Sequence, residues 1–276
     1  MKRDLYFRLV LYISALVLAA FTLFPIAWVL SSSLKTRETV LAIPPKWIPN
    51  PVTFESYIYL FTEKHFARII ANSFVVCGST TLLSLFIGAM AAYALARLKM
   101  RFKNVIFMLM FAPYVFPSHL LIGPLFLIFK SLGWINTYQA LIIPYLNFSL
   151  PLAIWLLTAY INGIPRELDD AARVDGCSDF QILLRVIFPL LRPGLAAAGL
   201  LVFMGSWVEF MYALTFTTDE RAQTIPVVIG TFQGRYHLDW AGMSAASITA
   251  IIPLAAIIMI FQRYFVRGVV QGAVRG

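Results

Sequence analysis

Few residues of this 276-residue chain are of types that do chemistry, and their spacing excludes most reactions. His65, His119 and His237 lie far apart with no ligand-like spacing, which leaves a metal site without support. Cys77 falls in an apolar block and Cys177 in a polar loop, so no disulfide framework is implied. The absence of any Gly-Lys pair excludes a phosphate-cradling GxxxxGK[ST] loop, and no nucleophile or acid-base constellation marks a catalytic centre. Two places remain: an acid inside an apolar block at Glu209, and a polar segment over 162–189 where acids, small residues and a glycine recur at fixed offsets.

A carboxylate within a membrane crossing costs a few kcal/mol, about 2.5–3.5 at a helix centre, unless it meets water or a partner, so Glu209 is expected to face an interior. With Trp207 and Tyr212 it could line a route for a polyol, since aromatic faces and hydrogen-bonding groups suit one; a structural hydrogen bond near the outer rim is the other reading. Asn147 and Ser149 are candidates of the same kind in another block.

In the polar segment, the run from Asn162 to Gly176 predicts a short helix. Pro165 suits a first-turn position, the acids Glu167, Asp169 and Asp170 follow where the helix dipole favours them, and Gly176 fits the stop. Ser178 with Gln181 forms a capping box for a second short helix running through Arg185. Leu168, Ala171 and Ala172 are expected to share a flat, weakly apolar face suited to a cleft on another protein. A pair of helices lying on lipid would need larger apolar side chains than alanine.

The elements that must position these residues follow from composition. The chain is 60% hydrophobic and 13% charged, whereas soluble domains run about 45–50% apolar and about 25% charged. Its apolar residues come in blocks near 9–30, 72–96, 104–129, 138–161, 189–216 and 244–265, each near the roughly 20 helical residues that span a bilayer core. The blocks do not alternate polar and apolar positions, so a barrel is excluded and the expected fold is all-α, a polytopic membrane protein with six transmembrane helices forming a single domain over 1–276. The first block is too long for a signal peptide's core of about 7–15 residues and is read as a retained helix. Gly88, Ala92 and Ala96 form a bare stripe that lets another backbone approach. Prolines 113, 117 and 124 in the third block, 144 and 151 in the fourth and 253 in the sixth are expected to kink their helices.

Lys and Arg in short loops stay in the cytoplasm. One side holds Lys2, Arg3 and Arg8; Arg97, Lys99, Arg101 and Lys103; Arg166, Arg173, Arg185 and Arg192; and Arg263, Arg267 and Arg275. The other holds Lys35, Arg37, Lys46, Lys64, Arg68, Lys130, Arg221 and Arg235, although it includes the longest connection, 31–71, with Pro44, Pro45, Pro49 and Pro51. Both termini and the 162–188 loop are therefore expected in the cytoplasm and the 31–71 loop outside. The net charge of +9 is accounted for by topology, and nucleic acid is not an expected partner.

The segment Asp170-Ala171-Ala172, three residues, Gly176, nine residues and Val186-Ile187-Phe188-Pro189 resembles the EAA loop of type I ABC importer permeases, whose pattern is EAA, x3, G, x9, I-x-L-P. Asp170, Val186 and Phe188 depart from that pattern with residues of similar character. Gly88 through Arg97, Trp207 through Phe210, and Gln262 through Gly268 with Gly272 through Val274 are similar to the MalG-like branch of carbohydrate permeases.

That resemblance implies a MetI-like fold in the cytoplasmic (inner) membrane, a second homologous, MalF-like permease subunit, two ATPase subunits and an external sugar-binding protein. ATP and Mg would be handled by the ATPase subunits, with no cofactor on this chain. It implies that Glu167, Asp170, Ala171, Ala172, Asp175, Gly176 and Pro189 couple the permease to ATP hydrolysis; the pathway candidates, chosen by residue type, are Asn147, Trp207, Glu209 and Tyr212. The cargo would be a mono-, di- or oligosaccharide or a glycerol phosphate. A secondary carrier would show repeated halves and buried ionisable relays, and a channel would need a selectivity ring from several copies.

Overall fold

A computed structural model describes residues 2–115, 118–232 and 238–273. Every element among these residues is helical: α1 (Lys2–Ser33), α2 (Glu55–Thr62), α3 (Phe66–Arg97), α4 (Lys103–Met110), α5 (Ala112–Val115), α6 (Ile122–Ser131), α7 (Gln139–Asn162), α8 (Glu167–Val174), α9 (Asp179–Ile182), α10 (Phe188–Leu190), α11 (Arg192–Trp207), α12 (Met211–Phe216), α13 (Ile225–Thr231) and α14 (Trp240–Ala273). A 3₁₀ turn precedes α6 at Ser118–Leu121, and a π-helical stretch, Leu183–Ile187, joins α9 to α10.

Four helices among the described residues are long and apolar enough to cross a membrane: Tyr6–Ser33, Phe66–Arg97, Gln139–Asn162 and Trp240–Gln262. They hold the expected first, second, fourth and sixth blocks to within a few residues at their ends. Pro144, Pro151 and Pro253 sit inside continuous helices. The third and fifth blocks differ from the expected single rods. The third is divided into α4, α5, the 3₁₀ turn and α6, with Pro113 and Pro124 each in the first turn of a piece, where a missing N–H costs no helix bond. Pro117 lies outside the described residues. The fifth is bent by 80° between Asp179–Leu190 and Arg192–Trp207, and counts as one further span only if that pair is taken together. Pro189 and Pro193 both lack the N–H that would carry a helix through this bend.

The chain divides into two compact units, residues 1–67 with 228–252, and residues 68–227 with 253–276. In the first, the connection after α1 folds back on the helix end. The Trp47 ring lies 4.6 Å from Trp28 and 5.0 Å from Phe24, and the Lys35 ammonium sits 4.3 Å from the Trp28 ring centre. Ser33 and the Tyr57 hydroxyl of α2 are 2.8 Å apart. Asp239 caps α14 by accepting from the Gly242 N–H at 2.9 Å, and its other oxygen is 3.2 Å from Arg37. The apolar window of α1 is wholly uncovered by its own chain, a surface suited to lipid or to another membrane helix.

The second unit packs around α7, half of whose apolar window is buried. The bare stripe of α3 is used as expected: a Cβ on Gly88 would stand 3.1 Å from Ala153, and Ala92 and Ala96 are buried. Two turns further along α7, a Cβ on Gly194 of α11 would meet the Tyr160 ring at 2.7 Å, so only glycine allows that approach. Ser149 belongs to this packing, accepting from Ser84 at 2.9 Å and donating to the Tyr145 carbonyl, which occupies the hydroxyl proposed above for a pathway. Asn72 ties the far ends together, donating to the Glu220 and Gln223 carbonyls and accepting from the Tyr138 hydroxyl. In the loop after α12, hydrogen bonds from the Arg221 side chain and N–H hold the Asp219 carboxyl well below the usual carboxylate range.

Candidate functional site: the hairpin after α7

The polar segment forms a helical hairpin built largely as its residue types dictate. α8 opens with Glu167, Asp169 and Asp170 in its first turn; Pro165 lies just ahead of the helix rather than within that turn. It ends at Gly176, whose φ of +83° is the left-handed conformation that L side chains resist. The Gly176 N–H donates to the Arg173 carbonyl at 3.0 Å and the Cys177 N–H to the Ala172 carbonyl at 2.9 Å, the paired bonds of a left-handed helix stop. Ser178 and Gln181 then make the expected capping box at the head of α9. Arg173 joins the two arms, donating to Asp170 at 3.1 Å and Asp179 at 3.0 Å. Its pKa is raised above its ordinary value by the Asp179 hydrogen bond first, with the charges of Asp179 and Asp170 adding to it.

The open face of α8 differs from the flat alanine face expected. Ala172 is buried in the helix core with Ile182, Leu183 and Ile187, so it seats the hairpin on its own bundle. Glu167, Leu168, Asp170, Ala171, Val174 and Asp175 point outward, with Val174 88% exposed and Leu168 41%. The second arm adds exposed Phe180 and Leu184. The hairpin therefore exposes an acid-rimmed surface with an apolar strip; Gly176 at its turn and Pro189 in α10 are exposed as well.

A feature that spacing did not reveal lies beneath. Asp169, next to the outward Asp170, turns inward to within 2.6 Å of Arg97 Nε at the end of α3, and these side chains are only 2% and 3% exposed. Arg97 Nη2 donates to the Ile164 carbonyl at 2.7 Å, while Arg166 Nη2 donates to the Ala96 carbonyl at 3.1 Å. The hairpin is thus stitched to α3 from both sides. The available signal was an arginine closing an apolar helix and an acid one turn before a buried alanine, but nothing in linear order joins them.

The pathway candidates are only partly assembled. Glu209 occupies the break between α11 and α12, where its oxygens accept from the Tyr212 N–H at 2.9 Å and the Ala213 N–H at 3.2 Å. Its partner is thus a helix N-terminus, and the wholly buried Tyr145 and Cys77 are close enough to feel its charge. Tyr212 is buried against Phe216, with ring centres 5.8 Å apart. Trp207 joins a different group, stacked on Phe203 at 5.4 Å and edge-on to Phe74 at 5.1 Å. Asn147 is half-buried in α7, and Pro151 has no N–H to give its carbonyl. Among the described residues no group of three or more His, Cys, Asp or Glu side chains is placed to hold a metal, and His237 lies outside them.

Comparison with known proteins gives a consistent picture. The family model described as "Binding-protein-dependent transport system inner membrane component" matches residues 84–271. The chain is similar to the trehalose/maltose transport system permease protein MalG of Thermococcus litoralis, 37% identical over 279 residues and 100% of both chains. It is similar to the sulfoquinovosyl glycerol transport system permease protein SmoH of Agrobacterium fabrum, 38% identical over 96% of this chain and 93% of that one. It is also similar to the trehalose transport system permease protein SugB of Mycobacterium tuberculosis, 38% identical over 94% and 95%. Its fold is that of a chain of a bacterial ABC transporter involved in import of the acidic polysaccharide alginate, with a TM-score of 0.77 at 23% identity over 96% of this chain and 98% of that one. A chain of the inward-facing MetNI methionine ABC transporter matches at a TM-score of 0.58 and 16% identity over 73% and 95%.

Proposed function

Because the chain belongs to the family of binding-protein-dependent transport system inner membrane components and is a permease subunit of an ATP-binding-cassette importer, we propose that it moves a sugar and is driven through the hairpin at 162–188. The cargo class rests on the sugar-transporter names of its relatives at 37–38% identity. The docking role rests on one observation: the exposed face of α8, an apolar strip of Leu168, Ala171 and Val174 rimmed by Glu167, Asp170 and Asp175, on a helix anchored from behind.

In this reading the hairpin and both termini are cytoplasmic, and the 31–71 connection faces the binding protein. A second permease subunit completes the pathway, and a pair of ATPase subunits holds ATP and Mg. When that pair closes on ATP, the cleft gripping α8 moves, and the helices above pass from inward-open to outward-open; one two-state element is biased by a remote ligand. Gly176 and the bend at Pro189 set the angle at which α8 is presented. Glu209 and Asn147 line the cargo's route, with the buried Tyr212 and Trp207 holding the wall behind. Carboxylates have about four acceptor positions, so Glu209 retains capacity for a sugar hydroxyl while capping α12.

The test is reconstitution of the chain with its cognate permease, ATPase and binding protein. Sugar-loaded binding protein is expected to stimulate ATP hydrolysis and uptake, and Ala171→Trp to abolish both while the chain remains inserted. Uptake that proceeds unchanged without ATP contradicts the reading.

A further inference from the structure

We propose that the buried Arg97–Asp169 pair is a strut that makes the docking helix and the 32-residue helix α3 move as one body, so that Arg97 and Asp169 are positioning residues for energy coupling. The proposal rests on the docking role of the hairpin and goes beyond it, because neither side chain belongs to the exposed face.

Three observations carry it. The pair is dry, at 2% and 3% exposure, although it lies in a polar hairpin where solvated alternatives are plentiful. Burying two charges is a poor route to stability, since apolar residues of similar volume often serve as well, so retaining charges here points to a demand for geometry. The contact is also one of several crossing the same gap. Arg97 reaches the Ile164 carbonyl before α8, Arg166 reaches back to the Ala96 carbonyl, and Ala96 and Ala172 are buried in one core. Asp169 and Ala172, three residues apart on α8, therefore face the bundle together while Asp170 and Ala171 face out.

A helix held by an alanine contact alone could roll under a lateral push and dissipate the movement. The guanidinium fixes the position of α8 against α3, because its Nε lies 2.6 Å from the Asp169 carboxylate while its Nη2 donates to the Ile164 carbonyl in a different direction. Arg97 is the last residue of α3, where a cation is favoured by the helix dipole, and above it that helix runs unbroken to Phe66. Displacement of α8 is thereby delivered to the end of a membrane-length rod.

The experiment uses the reconstituted transporter and reads sugar moved per ATP hydrolysed, a ratio that a purely structural role would leave unaltered in assembled complexes. R97M/D169L removes both charges and leaves neither unpaired; R97K keeps the charge but loses the second arm to Ile164. Both are expected to assemble within about two-fold of the parent, with the ratio falling at least five-fold in R97M/D169L and less in R97K. An unchanged ratio in assembled R97M/D169L overturns the proposal. So does failure of both variants to assemble, which would make the pair a folding element. If only R97K assembles, a lowered ratio supports the strut and an unchanged one overturns it. A171W in the same assay separates the two claims: uncoupling by A171W with a normal R97M/D169L ratio removes the strut and keeps the docking face, whereas normal coupling in A171W removes the docking face.

Discussion

Two helix interruptions in this chain carry acids and use them in opposite ways. Between α7 and α9 the neighbours Asp169 and Asp170 divide, one closing on Arg97 in the core and the other lying outside beside Arg173. Between α11 and α12 the single Glu209 closes on the first N–H groups of the helix that follows it. At the hairpin an inward acid fixes a surface that an outward acid helps to present. At the break before α12, one carboxylate caps the helix and, in the proposed reading, also meets the cargo. Ala171 and Ala172 teach the same lesson: adjacent letters of one motif fall on opposite sides of α8, so the face, not the motif, defines what a partner can touch.

The largest effect is expected where the comparison is broken outright. R97A strands Asp169 in the core without its counter-ion, a loss of about 3–5 kcal/mol, and should appear as reduced complex yield and a lower thermal midpoint in detergent. An unaltered midpoint would mean that water reaches the carboxylate.

Next is G176V. A β-branched residue at a φ of +83° costs on the order of 1–3 kcal/mol and turns α8 relative to α9. The complex is expected to assemble with its ATPase no longer stimulated by loaded binding protein. Normal stimulation would show that the angle of the hairpin is not critical.

The smallest effect sharpens the other side of the comparison. E209Q keeps the shape and one acceptor oxygen but loses the charge, and charge-assisted hydrogen bonds exceed neutral ones by about 1 kcal/mol. A modest fall in thermal midpoint is expected, together with a roughly five- to ten-fold rise in half-saturating sugar concentration, since about 1.4 kcal/mol is a factor of ten. A midpoint shift with unchanged half-saturation would restrict Glu209 to capping α12.

Hydropathy blocks made four of the long helices readable in the sequence because a bilayer leaves the backbone only one economical solution there. The local chemistry of the hairpin was equally plain, since Gly176 and the Ser178–Gln181 box act over three or four residues. What linear order hid was non-local. The third block has enough apolar residues for a rod, yet it is broken into starts around Pro113 and Pro124. The inward turn of Asp169 depends on an arginine 72 positions earlier in the chain, and the periodicity of α8 alone could not decide between a face containing Ala171 and one containing Ala172. The pathway residues were chosen by type, and type does not tell a ring that lines a route from one packed in the core, as Tyr212 is against Phe216 and Trp207 is against Phe203 and Phe74.

The central claim is that the outward face of α8 meets a nucleotide-hydrolysing partner, and a pair of photocrosslinking side chains one residue apart tests it most directly. Placed at position 171 in the assembled transporter, the group should form a covalent adduct with the ATPase subunit, whereas at position 172 it should capture only this chain. Equal capture of the ATPase from both positions, or none from 171, would contradict the account.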